Sequence, residues 1–238
     1  MSASNADDDL VGSDLSALRQ SSACEISDAL LKLGAANGGL LPDLKMYSPD
    51  LEAGPHKIVG RVFTVKMVLA SDTTSPKPDA HFVDACPRGS VIVISAPRGL
   101  KSACWGGLMS TAASVKGVLG AVVDGGCRDL TEHRELGFPV FARNHSTLGQ
   151  GTFTRPSELN IPITINPQTQ HSDPPFQPVT IKPGDVVVCD VDGCVVVPQG
   201  RIKEVVEQAA KVREVDEKIR LDLLAGKGVA ESFKKWRT

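Results

Sequence analysis

No two cysteines of this chain stand in a CxxC pair; the six, at positions 24, 86, 104, 127, 189 and 194, are scattered along 238 residues. That spacing writes neither a zinc site nor a dense disulfide framework, and the thiols read as reduced and mostly buried. Aromatic residues are scarce, at 4% with one Tyr and two Trp, which leaves few platforms for stacking nucleobases. There is no excess of positive charge. With 26 basic and 28 acidic residues the net charge is −2, so no global field gathers a polyanion, and nucleic acid is not an expected partner. No uncharged apolar run approaches the roughly 20 residues that span a bilayer. The opening residues, MSASNADDDLVGSD, lack the basic and apolar stretches of a secretory signal. The expectation is a cytoplasmic protein with no membrane partner. Also missing are HExxH, GxGxxG and the P-loop, so no nucleotide or methyl-donor cofactor is supported.

What is present is the composition of a globular chain, 41% hydrophobic and 23% charged. Ser22 and Glu25 have capping-box spacing, and Ile26, Ala29, Leu30 and Leu33 follow at helical intervals before Gly34. From Val59, apolar Phe63, Val65, Met67 and Leu69 alternate with polar Thr64 and Lys66, predicting a strand with one side wet. The runs 90–96 and 120–124 are nearly all apolar, as in strands covered on both faces. Helix-compatible 108–119, a helix from Asp129 to Leu136 and a strand over 138–142 complete an alternating α/β order. Residues 146–178, rich in Pro, Thr, Ser, Gln and Asn, read as long surface loops with one strand-like segment, 161–165. Three β runs, 179–181, 185–190 and 194–197, suggest a β-meander, and 199–225 a long helix ending at Gly226. The predicted organisation is one domain over 14–226, between a tail at 1–13 and a basic tail at 227–238.

The chemistry concentrates between residues 104 and 143. A buried strand is expected to end at Asp124, with Gly125-Gly126 turning the chain and Arg128, Asp129 and Glu132 opening the next helix. Ligands of open α/β sheets bind at such carboxyl ends of strands. An Arg offers a planar fork for a carboxylate, and an Asp offers a hard oxygen for a divalent cation. The plainer alternative stays open at this point: Asp129 and Glu132 also have capping-box spacing, with Arg128 merely solvated.

Gly107, twenty intervening residues, Arg128-Asp129, two more and then Glu132 resemble the G-x20-R-D-x2-E/D signature of the RraA-like family. The resemblance extends through ISDALLKLG, VGRVFTVK, WGGLM and PGDVVVCDVDGCVVVP to the final helix. It implies a layered α/β/α fold with a central sheet, assembled as a homotrimer or hexamer with sites between subunits. The family includes divalent-metal 4-hydroxy-4-methyl-2-oxoglutarate aldolases that also decarboxylate oxaloacetate. By that resemblance Asp129 is the one direct protein ligand of Mg2+ or Mn2+, and Glu132 lies in the outer shell. Arg128 holds the 2-oxo acid, and the backbone of Gly106, Gly107, Leu108 and Met109 receives its pyruvyl end. An acid on the last helix of a neighbouring subunit completes the site, and Asp216, within the apolar stripe of Ile202, Ala209, Val212 and Ile219, falls at the matching place. The alternative for Asp216, as for Glu214 and Glu217, is a solvated acid pairing along the helix.

One departure stands out. Aldolases of the family often carry an Asp where this chain has Gly107, and that Asp serves proton transfer. Retro-aldol cleavage must remove a hydroxyl proton, whereas decarboxylation needs only an electron sink and a later proton. The absence therefore weighs towards oxaloacetate as the favoured substrate, with Gly107→Asp raising the aldolase share, unless the glycine is needed for close backbone approach. The competing function is a non-catalytic, protein-binding regulator on the same scaffold. Among other residues, His133 reads as solvated on a helix face and Cys104 and Cys127 as packing thiols, while Asp28 and Asp192 sit in motifs that resemble the family's but are explained about as well by turn and cap roles.

Overall fold

The capping box at Ser22 closes as the spacing predicts. Glu25 N donates to Ser22 Oγ at 3.1 Å and Ser22 N to the Glu25 carboxylate at 2.8 Å, and helix α1 runs Ala23–Lys32 from there. The computed structural model describes residues 15–168, 173 and 175–237; the expected tail at 1–13 lies outside them. After α1 come β1 (Leu40–Leu41), β2 (Lys45–Ser48), β3 (Ile58–Leu69), α2 (Phe82–Ala85), β4 (Ser90–Ser95), β5 (Ala103–Trp105), α3 (Gly107–Lys116) and β6 (Gly120–Cys127). Then follow α4 (Leu130–Leu136), β7 (Val140–His145), β8 (Thr154–Leu159), β9 (Ile163–Ile165) and β10 (Val179–Ile181). The chain closes with β11 (Val186–Asp190), β12 (Gly193–Val197), α5 (Ile202–Leu224) and α6 (Val229–Trp236).

A mixed ten-stranded sheet in the order β1-β12-β11-β3-β4-β6-β7-β2 organises the molecule, with β5 along β6 and β8 along β3. Its centre, β3-β4-β6-β7, is parallel, which is why 90–96 and 120–124 read as continuous apolar runs. Alternate residues of each strand point to opposite faces. Phe63, Val65, Ile92, Ile94 and Val123 pack in one cluster with Phe82, Trp105 and Ala113 beneath α2 and α3. Val62, Val91, Val93 and Val122 pack instead with Ile163, Ile165 and Ile181 of a two-stranded ribbon, β9-β10. Helices α1 and α5 cover the antiparallel end, where Ile26, Leu30, Val205 and Ala209 meet Val186, Val188, Val195 and Val197. The α/β architecture, central sheet and long C-terminal helix match expectation, with the ribbon as the layer over the central strands opposite α2 and α3.

Four local expectations are corrected. The wet side of β3 is dry at Thr64, which is fully buried and donates its hydroxyl to Ile161 O; a polar side chain whose hydrogen bond is satisfied can be buried cheaply. Residues 146–178 are not loop throughout, since β8 pairs antiparallel with β3. Pro156 within it sits at a register shift opposite Met67, the kind of position where a strand tolerates proline. The β-meander is instead a β11-β12 hairpin, while β10 turns away to pair with β9. The basic tail contains a helix, α6, whose Trp236 indole donates to Asp222 of α5 at 2.9 Å and carries Lys235 over its ring at 4.2 Å.

Candidate active site

Strand β6 does not stop at Asp124. It runs through Gly125-Gly126 to Cys127, with its register against β7 shifting between Val123 and Gly126. The glycines serve close approach here, not a turn: a Cβ on Gly126 would lie 3.2 Å from Ser102 O and 2.7 Å from Asn144 Oδ1. Because it is bare, β5 can lie parallel alongside, and Trp105 O accepts Arg128 N at 3.0 Å. This pairing delivers Arg128 and Asp129 opposite Gly106 and Gly107.

Asp129 is left-handed, with φ 62°, a conformation that Asp tolerates better than most residues but still pays for. It precedes α4 without capping it, so the capping-box alternative is not realised. Its Oδ2 reaches across instead and accepts Gly107 N at 3.0 Å, at the start of α3. Gly106 gives α3 no side-chain cap, and a carboxylate at that end satisfies an open N–H and complements the helix dipole. Arg128 Nε lies 3.3 Å from the same Oδ2. No hydrogen bond among the described residues engages Asp129 Oδ1. Glu132 folds over Gly107: a Cβ there would stand 2.9 Å from Glu132 Cβ and overlap its carboxylate.

Gly106, Leu108, Met109, Arg128 and Asp129 thus line one cleft of about 210 Å3, with Gly107 and Glu132 packed together at its edge. Leu108 is 77% exposed. Two polar lining residues escaped the sequence reading, His81 and Gln150; neither lies in a motif, and the fold brings both from distant segments. Asp216 is not in this cleft. It lines a separate groove with Asp28, Val212 and Trp236, and accepts from Arg237 Nη2 at 3.1 Å. Glu214 and Glu217 pair with Lys218 and Arg220 along the helix.

His133 corrects the reading of a solvated ring, being fully buried. Trp105 Nε1 donates to Ser110 Oγ at 2.8 Å, and Ser110 Oγ lies 2.9 Å from His133 Nδ1. An indole only donates, so Ser110 Oγ accepts from Trp105 and keeps a second lone pair and its own hydrogen for the contact with Nδ1. Burial lowers the His133 pKa and favours a neutral ring. The chain of bonds ties α3 to α4 behind the site. Cys104 and Cys127 are buried; burial pushes the Cys127 thiol up to about 12, so both read as packing groups. On the far side of β6, Arg143 is held by Asp124, by Asp43 at 2.9 Å and by the carbonyl of Asn166. That hub also went unread, because its partners are up to 100 residues away. The pKa of Asp124 is raised by burial, against the pull of Arg143.

Known proteins resemble this chain over most of its length. The family model described as RraA-like, Aldolase/RraA, matches residues 23–196. Protein DlpA of Legionella pneumophila is 31% identical over 204 residues, 85% of this chain, yet the match spans only 30% of DlpA. A protein of Halalkalibacterium halodurans named "Putative 4-hydroxy-4-methyl-2-oxoglutarate aldolase" is 32% identical over 161 residues, 68% of this chain and 69% of its own length. Among solved structures, Streptomyces coelicolor RraAS2, titled an unusual member of the RNase ES inhibitor RraA protein family, superposes with a TM-score of 0.74. It is 25% identical, over 88% of this chain and 98% of RraAS2. Among the described residues no helix is long and apolar enough to cross a membrane.

Proposed function

This chain belongs to the RraA-like family, and from that membership and the cleft around Asp129 we propose a divalent-metal-dependent carbon–carbon lyase. Its substrates are short 2-oxo diacids, from which it releases pyruvate by decarboxylating oxaloacetate, by retro-aldol cleavage of 4-hydroxy-4-methyl-2-oxoglutarate, or both. The observation that carries the reading is Asp129 itself, a left-handed residue with one carboxylate oxygen anchored on Gly107 N and the other without a hydrogen bond among the described residues. A surface that only docks another protein gives no reason to hold an Asp in that strained state.

The residues fit a cation of particular character. Asp129 brings a carboxylate to the cleft, and an ion that takes one carboxylate and keeps its waters, as Mg2+ does, with Mn2+ as the alternative, suits such a donor. Such an ion, held by Asp129, would polarise the 2-oxo group as a Lewis acid. Arg128 places a planar fork beside the same position, to bind the carboxylate and stabilise the enolate charge as the carbon–carbon bond breaks. Glu132, packed over Gly107, is the acid we assign to moving the proton. Asp216 lies outside its own chain's cleft, so a role for it requires a second copy, as in the trimer or hexamer that the resemblance implies.

Pyruvate release from a panel of 2-oxo acids, with and without EDTA, tests the reading. Oxaloacetate is expected to be turned over, with EDTA abolishing the reaction and Mg2+ or Mn2+ restoring it. No release from any member of the panel would move the assignment to the protein-binding alternative. Gly107→Asp gives a sharper expectation. The packing of Glu132 on Gly107 favours the close-approach role of the glycine, so the Asp variant should lose both activities together, by tenfold or more, with a lowered melting temperature. A raised ratio of aldol cleavage to decarboxylation would show that Glu132 moves aside and that the glycine marks only a missing acid.

A further inference from the structure

We propose that His81 is a substrate-recognition residue of this cleft, donating from Nε2 to the distal carboxylate of a 2-oxo diacid; the proposal rests on the lyase reading above. His81 precedes α2, and its Nδ1 accepts Val83 N at 3.2 Å. A ring nitrogen that accepts an N–H carries no proton, so in the neutral ring the hydrogen sits on Nε2. The ring is further fixed by stacking on Phe82, with centroids 4.5 Å apart and planes 27° apart. Phe82 is itself buried against Trp105, centroid to centroid 6.2 Å, the residue that receives Arg128 N. His81 is therefore anchored to the same core as Arg128 while lining the same cleft. No hydrogen bond among the described residues engages its Nε2.

The chemistry needs a second donor. A short 2-oxo diacid brings two carboxylates, and Arg128, already beside Asp129, serves the reacting end. A cleft of about 210 Å3 is smaller than the roughly 300–1,000 Å3 of drug-sized pockets and is in keeping with a small ligand. His81 Nε2–H offers a directional bond to the distal carboxylate with little rotamer entropy left to lose.

Two variants divide the ring into its two roles. His81→Asn keeps an oxygen near the Nδ1 position, where Asn is a favoured cap, and deletes the Nε2 donor. His81→Gln keeps a far donor and gives up the cap. Binding is measured by calorimetry in Mn2+ with two probes that do not react by these routes, 2-oxoglutarate as diacid and pyruvate as monoacid. His81→Asn is expected to weaken 2-oxoglutarate about tenfold, leaving pyruvate and the melting temperature unchanged, while His81→Gln retains most diacid affinity at a lower melting temperature. Unchanged 2-oxoglutarate affinity in His81→Asn, or an equal loss for pyruvate, would overturn the assignment to His81 alone. A wild-type protein that binds neither probe in Mn2+ would overturn the lyase reading and this assignment with it.

Discussion

Asp129→Ala is expected to abolish pyruvate formation, a loss on the order of 10³-fold or more, the scale of removing a few kcal/mol of charge stabilisation. The same change should eliminate Mn2+ binding, measured by water-proton relaxation without any turnover. It also does two things to the fold. It leaves Gly107 N without the carboxylate that caps α3, at a cost of about 1 kcal/mol, and places Ala at φ 62°, which costs about as much again. Asp129→Asn separates the effects, since Asn tolerates the left-handed conformation and keeps a cap oxygen while losing the charge. Its melting temperature should stay near wild type while activity and Mn2+ binding are lost. Near-wild-type turnover of either variant at saturating metal would place the reacting site elsewhere.

Arg128→Lys should lower kcat/KM on the order of 10²-fold. Lysine keeps the charge but loses the planar fork that grips a carboxylate with two parallel bonds. The surroundings are shaped for the fork: Trp105 O fixes the backbone N of Arg128, and Gly149 lies so close that a Cβ would stand 2.6 Å from Nη1. A shorter-headed ammonium would leave that space unfilled and the enolate charge less well matched. A Lys variant within a few-fold of wild type would reduce Arg128 to a peripheral charge.

The parts of the fold that were legible are those whose signal is local. The capping box, the apolar parallel strands and the stripe of α5 each state their structure within a dozen residues. Thr64 and Pro156 were misread because what covers or bends them comes from about ninety residues away. The site divides in the same way. Arg128, Asp129 and Glu132 are neighbours in sequence, yet the spacing alone favoured a cap at α4, and only the approach of α3 turns the Asp129 carboxylate onto Gly107 instead. His133 looked solvated because its partners, Ser110 and Trp105, are on other elements, and His81 carried no signal because a lone histidine beside a short helix has none.

Trp105 has one more consequence, in spectroscopic terms. The chain has two indoles; one, Trp236, lies on the outer helix α6 beneath Lys235, and the other, Trp105, is 1% exposed and stands directly before Gly106. Replacing Trp236 by Phe would leave a single emitter whose indole N–H runs into Ser110 and His133 and whose carbonyl holds Arg128. Its emission would then report the state of the cleft from within, in a protein that needs no added label.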